Sequence, residues 1–273
     1  MHVPTSLSTP MQQLLGTIAF FAANETQRYV ILGGLFTVAC WWWRKRPGRR
    51  NKLQAQTSSR GQIRRELLQS VISIAIFASI VPILFAFGLK PYMRFYSHID
   101  DYGWPYFFVS IVLMMLVQDT YFYWTHRLMH HRRLFRFFHL THHRSLNPNP
   151  WSTYSVNPLE AVVDAGANVI ILFAIPAHGL ALFIFSWINT AYAIYGHLGY
   201  EILPARTATH GLGRWINTSV AHNTHHAKAR YNYGWYFLFW DRLMGTLEPE
   251  YEERYREATY SGQTDDSAFM QNA

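Results

Sequence analysis

Three histidine clusters separated by long apolar segments constrain this chain more than any other feature. His126 and His130 form H-x-x-x-H. His139, His142 and His143 form H-x-x-H-H, and His222, His225 and His226 repeat that spacing, with a single His197 between the two. Residues three and four apart share a helix face, so each cluster can aim imidazoles at one point. Neutral imidazole suits iron and zinc, and iron adds the redox chemistry that zinc lacks. These histidines are too many for one ion and suit two. An isolated H-x-x-x-H arises by chance, but three clusters on one face point to a metal site.

Half of the 273 residues are hydrophobic and 17% are aromatic. The apolar residues are segregated into runs that alternate with basic, histidine-rich stretches. This pattern predicts an all-α, polytopic membrane protein with about four core transmembrane helices and a cytosolic histidine-rich metal site. The net charge of +8 does not indicate nucleic acid, because much of it lies between Arg44 and Arg65, in a short loop between apolar segments. That placement fits the positive-inside rule and anionic headgroups. Cys40 is the single cysteine, which excludes an intrachain disulfide and a thiolate metal cluster. The N-terminus lacks the pattern of a cleaved secretory leader, so the apolar segments are expected to stay in the mature chain. The compact length, with no obvious retention signal, leans toward a bacterial inner membrane.

Along the chain, residues 1–66 read as an N-terminal membrane-associated segment and basic loop. Residues 67–247 read as the membrane catalytic domain and 248–273 as a polar tail. Residues 11–23 and 29–43 are apolar, interrupted by Asn24, Glu25, Gln27 and Arg28; they form one long tilted helix or an interfacial helix followed by a short span. Leu67–Leu89 is the clearest span, with a kink expected at Pro82. A third span starts near Trp104 and runs through Asp119 to the first histidines. Residues 159–176 and 180–195 read as a helical hairpin turning at Pro176, His178 and Gly179. With the basic loop in the cytoplasm, alternate crossings bring every histidine cluster to the cytoplasmic face.

Asp119 lies seven residues before His126, on nearly the same helical face, and is a candidate to accept an imidazole N–H. Glu201, four residues after His197, is a candidate tenth ligand. Asp164, inside an apolar segment, raises the same question as Asp119. His131 points away from His130, His178 falls at the opposite side of the membrane, and His2, His98 and His210 lack clustered partners; all five are expected to be nonligands.

The stretches Asp119–His130, Phe138–His143 and Asn217–His226 resemble the three histidine boxes of the fatty acid hydroxylase and sterol desaturase superfamily of integral membrane non-haem di-iron enzymes. The resemblance covers roughly residues 105–247. Tyr231–Trp235 and Phe239–Gly245 resemble the sterol C-5 desaturase branch, although Asn157 precedes Pro158 where that branch often has histidine. The resemblance implies two iron ions, replaceable by zinc on purification, held by His126, His130, His139, His142, His143, His197, His222, His225 and His226. It also implies dioxygen as cosubstrate and oxidation of lipid C–H bonds. No nucleotide fingerprint or fused haem carrier is present, so electrons would come from a ferredoxin or cytochrome-type donor with its reductase, docked on basic residues such as Arg132, Arg133 and Arg136. Sterol desaturation or hydroxylation leads. A fatty acyl, ether lipid or carotenoid hydroxylase stays open, as does a non-enzymatic metal transporter or zinc-binding scaffold.

Overall fold

A computed structural model describes residues 9–44, 52–54 and 56–260. Much of the basic loop, and the end of the polar tail, lie outside the described residues. Helices dominate the described residues: α1 (Thr9–Arg44), α2 (Arg60–Ala86), α3 (Gly103–Met129), α4 (Phe135–Phe138), α5 (Leu140–His143), α6 (Pro158–Ala174), α7 (Gly179–Gly196), α8 (Ser219–Lys228), α9 (Phe239–Leu243) and α10 (Tyr251–Tyr260). The two apolar stretches before residue 44 form one continuous helix. Among the described residues, α2, α3 and α7 are long and apolar enough to cross a membrane. The 17 residues of α6 sit at the lower limit for a span.

Local chemistry sets the ends of these helices. Ser59 caps α2 by accepting from the Gln62 N–H at 3.1 Å. Asn157 accepts from Leu159 N–H at 2.9 Å and Pro158 opens α6, a start that needs no amide at that position. Thr218 caps α8. Pro82 lies within α2.

The long helices pack side by side, α1 on α2 and α7, and α6 on α2 and α3. Phe107, Met114, Ile171 and Phe185 fill the core between α3, α6 and α7. Val71, Phe108 and Val112 face outward and are more than half exposed. Apolar side chains on that surface belong in contact with lipid, where helices keep all backbone hydrogen bonds internal.

At one end, β1 (Phe95–Tyr96) pairs in parallel with β2 (Ala177–His178), which ties the α2–α3 connection to the tip of the α6–α7 hairpin. His178 is part of this clasp: its Nδ1 accepts from Leu180 N–H and its Nε2 lies 3.1 Å from the Ser97 carbonyl. The histidine clusters lie at the other end, at the C-termini of α3 and α7. The start of α2 joins them there, because Gln62 and Arg65 donate to the Asn147 and Arg144 carbonyls. Buried Glu66 organises this junction by accepting from Ser145 (2.6 Å), Asn149 (2.8 Å) and Gln62 (2.8 Å).

Candidate metal centre

The nine clustered histidines converge into two groups. His126, His130, His139, His143 and His225 form one; His142, His197, His222 and His226 form the other. Within each group the ligating nitrogens all lie within 4.8 Å of one another. Eight of the nine are buried and His130 is half-buried.

Helical geometry explains the division. His126 and His130 stand one turn apart at the end of α3, where His130 is the C-cap. On α8, His222 and His226 are also four apart and share a group, while His225 points to the other. The second cluster divides the same way: His139, at the break between α4 and α5, joins His143, and His142 crosses to its neighbour. Each H-x-x-H-H box therefore contributes to both groups, so α5 and α8 lace them together. This refines the expectation that all three histidines of a box share one target.

The outer nitrogens of several rings are held by acceptors. His126 Nδ1 lies 2.9 Å from the Tyr233 carbonyl, His225 Nδ1 2.7 Å from that of Tyr231, and His197 Nδ1 2.7 Å from that of Ala193. His139 Nδ1 lies 2.6 Å from Glu160 Oε1. Carbonyl and carboxylate oxygens accept, so in these rings Nδ1 carries the proton and Nε2 presents a lone pair. The Nε2 atoms of His126 and His139 face each other at 2.9 Å. Two lone pairs at that distance repel unless a cation lies between them. Further inward contacts join His143 to His130 and His225 at 3.2 and 3.1 Å. In the second group, His197 meets His142 and His222 at 3.3 and 3.1 Å. The donor set thus fits metal ions, five nitrogens in one group and four in the other.

Electrostatics points the same way. Burial holds His143 and His197 down to about 4. It also pushes His139, His142, His222, His225 and His226 well below the ordinary imidazole value, and repulsion from neighbouring histidines adds to the effect. At neutral pH these rings are neutral, the form that ligates metal.

Two carboxylates lie elsewhere than the sequence suggested. Glu201 belongs to neither group. Its Oε1 accepts from the Ile202 and Leu203 amides and the Tyr195 hydroxyl, and its Oε2 from Val220 N–H, which fixes the start of α8 to the end of α7. The left-handed turn at Gly199 (φ 69°) breaks the helix that would have put Glu201 beside His197. Asp119 accepts from the Tyr236 and Phe237 amides at 2.7 and 3.0 Å, not from an imidazole. Asp241 accepts from Tyr233 N–H, Gly234 N–H and the Thr246 hydroxyl. Burial raises Asp241 to about 6 against the pull of those bonds. Asp119 and Asp241 together hold the 231–237 loop, whose carbonyls orient His126 and His225. Glu160 is the carboxylate that touches a clustered histidine. Its sequence signal was a lone acid on the first turn of an apolar helix.

An apolar cavity of about 240 Å³ lies beside the centre, lined by Phe77, Phe85, Phe122, Ile171, Phe185 and Trp235 among others. Phe122 packs against His126 with ring centroids 4.7 Å apart. Trp235 and Ala193 also line a narrow crevice that reaches His197 and His222. Of the aromatic residues 121–124, only Phe122 lines the cavity; Tyr121 is tied to the Val163 carbonyl and Tyr123 to Thr246.

Membrane-crossing helices that carry two convergent histidine groups beside an apolar cavity define an integral membrane protein with a candidate dinuclear centre. Residues 111–246 match the model of the fatty acid hydroxylase family, and the chain belongs to that family, on its sterol desaturase side. It is 29% identical over 188 residues to a Delta(7)-sterol 5(6)-desaturase, ERG3B, of Gibberella zeae, covering 68% of this chain and 56% of that protein. It is also 29% identical over 191 residues to lathosterol oxidase of Mus musculus, covering 69% and 62%, and 27% identical to the Homo sapiens lathosterol oxidase over the same shares. The chain thus spans less than two thirds of the length of these relatives. No solved structure gives a significant match. These relatives are fungal and mammalian, so the expectation of a bacterial inner membrane finds no support; that of an integral membrane protein stands.

Proposed function

We propose that this protein is an oxygen-dependent oxidoreductase that removes hydrogen from unactivated C–H bonds of a sterol or similar lipid, giving an alkene or an alcohol. The observation that carries this reading is the convergence of nine histidines into two groups beside an apolar cavity. Sterol desaturase relatives support the lipid substrate.

The residues that would hold the metal are His126, His130, His139, His143 and His225 at one position and His142, His197, His222 and His226 at the other. Two iron ions held there would supply the redox chemistry for dioxygen activation, with two electrons from an external ferredoxin or cytochrome-type donor. The net reaction consumes one dioxygen, two electrons and two protons, and yields an alcohol and one water or an alkene and two waters. The chain's own contribution is geometric. Carbonyls of Ala193, Tyr231 and Tyr233, with the Glu160 carboxylate, fix the ring tautomers. Asp119 and Asp241 hold the loop that carries two of those carbonyls. Phe122 and Trp235 form the apolar wall between cavity and centre, which orients a lipid and keeps bulk water out. The position of the lipid along this wall decides between desaturation and hydroxylation. By charge placement the centre faces the cytoplasm, as the positive-inside rule requires of the basic loop. Residues 67–247 form the catalytic unit.

The test is to incubate the iron-loaded full chain with a reducing system, dioxygen and a panel of lipids, and to identify products by mass spectrometry. His142→Ala should lose metal and turnover together. Retained turnover with unchanged metal content would overturn the assignment, and tight metal binding without oxygen-dependent product would overturn the enzyme class.

A further inference from the structure

The cavity beside the metal centre carries a polar group that the fold leaves unsatisfied. Asp164 lines the cavity from α6, and its Oδ1 is buried without a hydrogen-bond partner. Asn168, one turn further along the same helix, and Gln118, from the adjoining α3, line the cavity too. Among the described residues neither makes a side-chain hydrogen bond. A partnerless acid in a membrane helix destabilises the fold, so its presence points to a ligand.

The chemistry of the three side chains narrows the class of that ligand. Asp164 accepts; Asn168 and Gln118 each both donate and accept. The other charged groups on the cavity wall, Glu25 and Arg28, are already paired with each other at 2.5 Å, and Arg28 also donates to Thr190 at 2.7 Å. With Arg28 committed to Glu25 and Thr190, no unpaired cation among the described lining residues is available to hold the carboxylate of an ionised fatty acid in this low-dielectric site. A hydroxyl group donates a hydrogen bond to Asp164 and accepts one from an amide N–H. The remaining polar side chains on the wall, Thr153, Tyr154, Ser186, Asn189 and Thr190, already make hydrogen bonds within the protein, and the other lining residues are aromatic or aliphatic, which suits a hydrocarbon body.

We propose that Asp164, supported by Asn168 and Gln118, anchors the hydroxyl group of a lipid alcohol and so makes this cavity select alcohols over carboxylic acids. Asp164 lies one helical turn from Glu160, which holds His139. The anchored end of the lipid is therefore the end nearest the first histidine group, and oxidation falls close to the hydroxyl rather than at a remote chain terminus. This rests on the functional reading above for the identity of the centre, but its test needs no turnover.

The experiment measures equilibrium binding of radiolabelled octadecan-1-ol and lathosterol, each against its own O-methyl ether, to the iron-loaded full chain in nanodiscs without oxygen. Stearate and octadecylamine serve as competitors. At least one alcohol is expected to bind about ten- to a hundred-fold more tightly than its ether, the range for pairing a buried polar group that is otherwise left unsatisfied. Asp164→Leu should bring that ratio to within about twofold of unity by removing the acceptor, with ether binding unchanged and the melting temperature no lower, because no hydrogen bond is lost inside the protein. Asn168→Leu should lose part of the preference. No alcohol binding, equal binding of alcohols and ethers, a preference that survives Asp164→Leu, or tighter binding of stearate or octadecylamine overturns the proposal. Selective alcohol binding with no oxidised product would instead sink the oxidase reading and leave the anchor in place.

Discussion

Glu160 is the sharpest point at which to perturb the candidate centre, because it touches one ligand and lies outside both groups. Its Oε1 sits 2.6 Å from His139 Nδ1, and both side chains are at most 3% exposed. Glu160→Ala removes the acceptor and leaves a buried N–H unpaired, a cost of about 1–3 kcal/mol. Loss of such an outer partner typically lowers metal affinity about ten- to a hundred-fold, or about 1.4–2.7 kcal/mol. Glu160→Gln keeps an acceptor oxygen but loses the charge, and a neutral hydrogen bond has about half the strength, so its affinity should fall about three- to tenfold. The assay is competition between the iron-loaded full chain and a graded series of chelators, read by metal analysis of the separated protein, with exposed Leu159→Ala as control. Affinity within twofold of wild type for Glu160→Ala would refute the argument that this carboxylate sets the ring's tautomer and basicity.

Three other outcomes follow from the geometry. His142 Nδ1 and His226 Nδ1 are buried without partners, so a chelator should strip metal in two phases, and His142→Ala should abolish the faster one; a single phase would contradict this. Gly234 is confined, since an added Cβ would collide with the Phe237 carbonyl oxygen and lie 2.9 Å from Asp241 Oδ2; Gly234→Ala should destabilise the protein by about 1–3 kcal/mol and loosen the metal, as a chemical melt and metal analysis will report. Glu248 resists ionisation by burial, but hydrogen bonds from Lys228 and Arg254 outweigh that and hold it below its ordinary 4.5. A depressed acid stabilises the fold above its unfolded value and loses that contribution as pH falls through the folded one. The melting-temperature difference between wild type and Glu248→Gln should be flat above pH 4.5 and shrink below it; a difference that grows on acidification would contradict the pairing.

Much of the architecture was legible because apolar length and helix punctuation are local signals. The span beginning near Trp104 and the hairpin turning at Pro176–Gly179 appear within a few residues of their expected places, whereas the helix expected over Leu67–Leu89 starts earlier, at Arg60, because Ser59 caps it within the basic stretch. The histidines were legible through spacing, and the topology that brought them to one end followed from counting crossings. What the sequence concealed depends on contacts distant in the chain. Glu160 meets His139 only because α6 packs against the segment after α3. Asp119 was expected to meet an imidazole, yet its partners are backbone amides more than a hundred residues away. Glu201 was misplaced because Gly199 turns the chain through a left-handed conformation where helical spacing no longer holds. The division of each H-x-x-H-H box between two groups is likewise a tertiary fact, since spacing alone lets all three rings share one target.

The central claim is that nine histidines of this chain hold two metal ions for redox chemistry. Mössbauer spectroscopy on gently extracted full-length protein, enriched with iron-57 and checked for metal stoichiometry, tests it most directly. Two coupled irons per chain is the expected result. A stable absence of iron, after expression with iron and anaerobic reconstitution, would contradict it.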